Sequence, residues 1–152
     1  MLRSSTTFVL FGALCTAVAI AEDAPSLNAA ETSEIAVYVS NIESNKGNVD
    51  CALFASEAGF PMDASYGTQI RQSARTGTVE CRFENLPAGT YAVAVSHDEN
   101  ENGKTDTNFL GIPKEAWGVS NNARPKMRAP TFEEAAFELT DGRALALNIT
   151  VK

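Results

Sequence analysis

Between residues 98 and 106, oxygen-bearing side chains recur at every second position. Asp98, Asn100, Asn102 and Asp106 lie around Gly103. A hard divalent cation needs several oxygens about one point, and alternate residues curling round a glycine supply them. Counted as a calcium loop, Asp98 holds the first position, Asn100 the third, Asn102 the fifth and Gly103 the sixth. Lys104 offers its backbone carbonyl at the seventh, and Asp106 stands at the ninth. Phe109 occupies the twelfth position, where a bidentate glutamate belongs, and Glu115 is a more distant addition. Two carboxylates, two amides and one carbonyl predict a weak calcium site, with a dissociation constant of about 10⁻⁴–10⁻³ M. The same spacing has a second reading that needs no ion: Asx turns, in which the Asp and Asn side chains bond their own backbone.

His97 immediately precedes this loop. A His beside an Asp suits acid–base work, and a hydrolase using His97 and the acidic loop is one class of function. Spacing assigns no Ser or Cys nucleophile to it, so a hydrogen-bonded structural His is the competing reading. Residues 110–130 show no strand or helix period, yet they hold the sole tryptophan, Trp117, with Ser120, Asn121 and Asn122 close behind. The stretch is expected to fold as an ordered loop over one end of the domain. There His97, Glu115, Trp117, Ser120, Asn121 and Asn122 form a face for a ligand or partner, or Trp117 seals the core beneath.

The elements that position these residues come from a chain of 152 residues, room for about one domain. It is 44% hydrophobic, 8% aromatic and 20% charged, enough apolar material for a core and unlike a disordered chain. The net charge of −7 opposes phosphate neutralisation and attraction to an anionic membrane.

Residues 1–21 have the form of a secretory signal peptide. Arg3 supplies the positive region, 8–20 a short apolar run, and Ala19-Ile20-Ala21 the cleavage site. The run is too short to span a bilayer, no other run is long enough, and Glu22-Asp23 follow at once. The address is therefore periplasmic or extracellular. Cleavage removes Arg3 and Cys15, leaving a charge of −8 and two cysteines, Cys51 and Cys81. An even pair in an oxidising compartment predicts one disulfide. Residues 22–33, rich in Ala, Ser, Glu and Asp, read as a flexible leader before a single domain over 34–152.

That domain reads as strands. Ile35, Val37 and Val39 alternate with Ala36, Tyr38 and Ser40, and the same period-two pattern recurs around Cys51, Cys81, Val93 and Leu147. Asn45-Lys46-Gly47, Leu86-Pro87-Ala88-Gly89 and Asp141-Gly142 supply turns. Weaker strands are expected at 67–72 and 136–139. Thr131 and Glu134 have capping-box spacing for one helical turn over 132–135. The expected fold is all-β, a two-sheet sandwich of immunoglobulin-like or transthyretin-like kind with about seven strands, an open barrel being the alternative. Cys51 and Cys81 both face inward in this reading.

With these residues in view, the chain resembles a family of uncharacterised bacterial exported proteins classed only as a domain of unknown function. The resemblance rests on Leu86-Pro87-Ala88-Gly89-Thr90-Tyr91, His97-Asp98-Glu99-Asn100, Asn102-Gly103-Lys104 with Asp106, Leu110-Gly111-Ile112-Pro113-Lys114-Glu115, Trp117-Gly118-Val119-Ser120-Asn121-Asn122 and Pro130-Thr131-Phe132-Glu133-Glu134-Ala135, and covers roughly residues 35–151. Trp117 stands where a smaller aromatic is expected. The resemblance implies export and a compact β domain, and no activity. The Leu-Pro-x-Gly-Thr-Tyr segment also looks like a turn of carboxypeptidase-regulatory and transthyretin-like sandwiches, a likeness of fold that carries no function. The expectation is a non-enzymatic exported module binding a small ligand, glycan or envelope protein through the 97–122 face, with calcium as the sole cofactor considered and no nucleic acid. Its rivals are the hydrolase and a purely structural envelope protein.

Overall fold

Wherever period-two alternation is bounded by turns, a strand forms. The computed structural model describes residues 33–103, 106–109 and 113–152. The expected signal peptide, all of the expected leader but Ser33, and Lys104 lie outside them. The strands are β1 (Ser33–Ile42), β2 (Asn48–Phe54), β3 (Thr68–Ser73), β4 (Gly77–Leu86), β5 (Gly89–Asp98), β6 (Trp117–Val119), β7 (Phe137–Leu139) and β8 (Ala144–Thr150). The strong alternating runs become β1, β2, β4, β5 and β8, and the two weaker ones become β3 and β7. β6 departs from expectation, since it lies in the stretch that shows no period. Three residues are too few to display one; β6 is a strand because Trp117–Val119 pair with Ala94, Val95 and Ser96 of β5. β1 starts at Ser33, one residue before the expected boundary, and the buried Ser33 hydroxyl donates to the Thr140 carbonyl at 3.3 Å.

Two sheets stack face to face. One has the order β4-β1-β8, the other β3-β2-β5-β6, with β7 pairing the first residues of β5. β8 lies parallel to β1, so the last strand sits beside the first. At one corner Trp117 and Lys152 exchange backbone bonds of 3.4 and 3.2 Å, joining β6 to the end of β8 and so one sheet to the other.

The inward positions form one core. Ile35, Val37, Val39, Val49, Leu53, Phe83, Val93 and Ile149 are each 0–3% exposed. Burial of each such side chain contributes about 1.5–3 kcal/mol relative to leaving it in water. Cys51 and Cys81 are bonded, with Cα atoms 6.5 Å apart. Cys51 belongs to β2 and Cys81 to β4, so the disulfide crosses between the sheets through the core.

The single turn α1 (Phe132–Ala135) carries the capping box that its spacing predicts. Glu134 N–H donates to the Thr131 hydroxyl at 3.4 Å, and Thr131 N–H donates to the Glu134 carboxylate at 2.9 Å. Arg128 binds the same carboxylate in a fork, at 2.7 and 2.8 Å. The guanidinium first, then the Thr131 N–H, pull the Glu134 pKa down to about 2. Its favourable interactions are therefore complete above the ordinary carboxylate range and lost as pH falls toward 2. Thr131→Ala is expected to lower stability by about 1 kcal/mol in urea denaturation, through loss of the cap.

Candidate functional site

The end of β5 carries His97 and Asp98, which are 3% and 1% exposed although both are polar. Two neighbouring segments bury them. The β1–β2 turn lies against one side, where the His97 ring Nε2 donates to the Lys46 carbonyl at 2.9 Å. Gly47 in that turn has φ +69°, and a Cβ there would stand 1.9 Å from the Asp98 carbonyl oxygen. On the other side, His97 N–H donates to the Ala116 carbonyl at 2.8 Å, just before β6.

Asp98 organises the loop that follows. Its carboxylate accepts the Asn102 N–H at 3.2 Å and the Gly103 N–H at 2.7 Å, and Gly103 has φ +72°. Asn100 Oδ1 also accepts the Asn102 N–H, at 3.1 Å. The amide nitrogens of Asn100 and Asn102 donate to the two oxygens of Asp106, at 2.7 and 2.9 Å. Asp98, Asn100, Asn102 and Asp106 thus meet, held by the side-chain-to-backbone bonds of Asx turns together with amide–carboxylate bonds. Phe109 is 95% exposed.

Glu115 enters the same cluster. A bridge between Thr107 and Pro113 turns the chain back, Lys114 N–H donates to the Asp106 carbonyl at 2.8 Å, and Asp106 N–H donates to the Glu115 carboxylate at 3.0 Å. The Glu115 pKa is raised, chiefly by burial, with the Asp98 and Asp106 charges adding, against the stabilising N–H groups of Asp106 and Glu99. Sequence spacing placed Glu115 only as a distant addition; nothing in the local pattern announces the return of the chain. Arg71 of β3 stands nearby, forked onto Asp50 at 2.6 Å twice and 3.8 Å from Asp98. Among the described residues, no three His, Cys, Asp or Glu side chains form a ready-made metal cage.

Ser120, Asn121 and Asn122 act as clips. The Ser120 hydroxyl accepts from Val93 N–H at 3.0 Å and donates to the Ala135 carbonyl at 2.5 Å. Asn121 donates to the Ala136 carbonyl at 2.9 Å. Asn122 accepts from Thr150 N–H at 2.8 Å and donates to the Asn148 carbonyl at 3.0 Å. Trp117 packs on a small cluster of Ala92, Val119 and Ala135 and carries the Arg124 guanidinium 4.3 Å above its ring. These residues tie β6, α1 and β8 together.

The class these features define is an all-β, disulfide-crossed sandwich with an acidic, asparagine-rich loop at the end of a central strand. A family model described as an uncharacterised protein conserved in bacteria (DUF2141) matches residues 37–146, and the chain belongs to that family. No curated protein and no solved structure matches it. Among the described residues, no helix is long and apolar enough to cross a membrane.

Proposed function

We propose that this chain is an exported, non-enzymatic binding module whose 97–122 face is organised by a weakly held calcium ion. One observation carries the reading. The fold adds Glu115 to the loop: its carboxylate accepts the Asp106 N–H at 3.0 Å, and burial first, with the Asp98 and Asp106 charges after it, raises the Glu115 pKa. Like charges gathered this way repel, and a divalent cation between them turns the repulsion into attraction. The N–H bonds to Asp98 do not exclude a cation, because an ionised carboxylate has about four lone-pair sites. Rotating the Asn100 and Asn102 amides by half a turn would turn oxygen toward Asp106, with loss of the Asn100 Oδ1 bond to the Asn102 N–H, which the Asp98 carboxylate still accepts. The signal-peptide form of residues 1–21 and the paired cysteines support export. In this reading His97 is a positioning residue: its Nε2 holds the β1–β2 turn against the loop.

Calcium titration tests the proposal. At a concentration ten- to a hundred-fold above the dissociation constant, calcium is expected to stabilise the fold by about 1.4–2.7 kcal/mol, read as a melting shift of several degrees. Glu115→Gln and Asp106→Asn should abolish most of that shift. In calcium-free buffer Glu115→Gln should be neutral or stabilising. The raised pKa means that ionised Glu115 opposes folding. That penalty is full above its folded pKa and gone below the ordinary carboxylate range, so lowering the pH relieves it. A melting temperature indifferent to calcium at those concentrations would leave only the Asx-turn loop.

A further inference from the structure

Beside the loop lies a cleft of about 390 Å³ between the β1–β2 turn and the segment that leads into β6, lined by Asn41, Glu43, His97, Glu99, Lys114, Glu115 and Lys152 among others. Its size falls at the small end of the range of ligand pockets. The His97 ring is nine-tenths buried, and its orientation is set from behind. The Lys46 carbonyl 2.9 Å from Nε2 can only accept, so Nε2 carries the proton. In the neutral ring Nδ1 is then an acceptor. It faces the Glu99 carboxylate at 4.0 Å, beyond hydrogen-bond reach, and two acceptors cannot bond each other. Glu99 is held in place by the Ser44 hydroxyl at 2.8 Å. Glu115 is fixed by the Asp106 N–H. Among the described residues, three carboxylates and one imidazole nitrogen therefore line the cleft, against the ammonium groups of Lys114 and Lys152. The lysines reduce the negative sign of the lining but do not reverse it.

We propose that this cleft binds a small molecule through a primary ammonium group, which lies between His97 Nδ1 and the Glu99 carboxylate. A primary ammonium has three N–H donors on a compact charge, so it can satisfy both acceptors and one carboxylate more. The cleft admits a few carbons behind the nitrogen, where Lys114 and Lys152 suit a polar or anionic end. This deepens the reading of the 97–122 face as a binding surface, rests on it, and specifies the class of ligand.

The test is a titration of the full mature chain at saturating calcium, followed by ¹H–¹⁵N spectra of the His97 ring. The probes are methylammonium, 1,3-diaminopropane and tetramethylammonium. The expected result is saturable movement of the His97 Nδ1 resonance with the first two and none with tetramethylammonium, which has the charge but no donor. Glu99→Gln, an exposed change, should weaken binding roughly tenfold, as expected for losing a hydrogen bond to a charged group. Glu43→Gln, likewise exposed, gives a second variant if the first perturbs the loop. No movement with either primary amine, equal movement with tetramethylammonium, or a proton already shared between Nδ1 and Glu99 would overturn the proposal. A calcium-dependent melting shift retained in that case leaves the loop-face reading standing and removes only the ammonium ligand.

Discussion

Replacing both cysteines, as Cys51→Ala with Cys81→Ala, is expected to lower stability by about 3–4 kcal/mol from chain entropy alone. The two residues are 30 apart in sequence. Opening that loop frees the unfolded chain, and the cost falls on the native state by comparison. The location adds to the effect. Both sulfurs sit in the core, 1% and 0% exposed, and the bond runs from β2 in one sheet to β4 in the other. Loss of the bond therefore also loosens the packing of sheet on sheet. Urea denaturation of the oxidised, reduced and doubly substituted proteins measures it. The midpoint should fall in both of the latter, and the slope should rise as the unfolded chain expands. Identical midpoints with and without reductant would show that the bond contributes nothing in solution.

Gly47→Ala is expected to be as damaging, by about 3 kcal/mol or more. Two penalties combine. At φ +69° an alanine pays the left-handed backbone cost of about 1 kcal/mol. Its Cβ would also lie 1.9 Å from the Asp98 carbonyl oxygen and 2.7 Å from the Glu99 Cα, both backbone atoms that cannot swing aside. The turn must then lift from the end of β5, breaking the His97–Lys46 bond and displacing the first loop carboxylate. Even the folded fraction should lose the proposed calcium response. Gly77→Ala is the internal comparison. Its φ is +105°, but nothing lies within 4 Å of the added carbon, so only the backbone cost applies. Similar melting temperatures for the two variants would mean that the contact at Asp98 relaxes freely.

The strands around Val37, Cys51, Cys81, Val93 and Leu147 were legible because each makes its own pattern. Alternation is a property of five or more consecutive residues and needs no knowledge of the partner strand. The same holds for the capping box of Thr131 and Glu134, whose donor and acceptor are three residues apart, and for the Asx bonds from Asp98 and Asn100 to the backbone just ahead. The pairing of Cys51 with Cys81 followed from counting once the first 21 residues were set aside. The family match over 37–146 agrees with the likeness to an uncharacterised bacterial family.

What lies between distant segments could not be read that way. β6 owes its existence to the edge of β5, β8 lies parallel to β1, and neither relation leaves a mark within the short stretch concerned. Whether the disulfide joined neighbours or crossed the core depended on sheet order. A linear reading puts His97 at a strand end, on the face of Val93 and Val95, and Asp98 at the start of the loop; both polar residues are buried because the β1–β2 turn and residues 113–116 close over them from two sides. Glu115 reaches the acidic loop only after the Thr107–Pro113 bridge folds the chain back. Short-range hydrogen bonding and side-chain periodicity are encoded residue by residue, so the sequence by itself determined the alternating strands, the cap and the loop's polar spacing. Burial and charge proximity depend on which segments meet in space, and that was decided only by the tertiary structure.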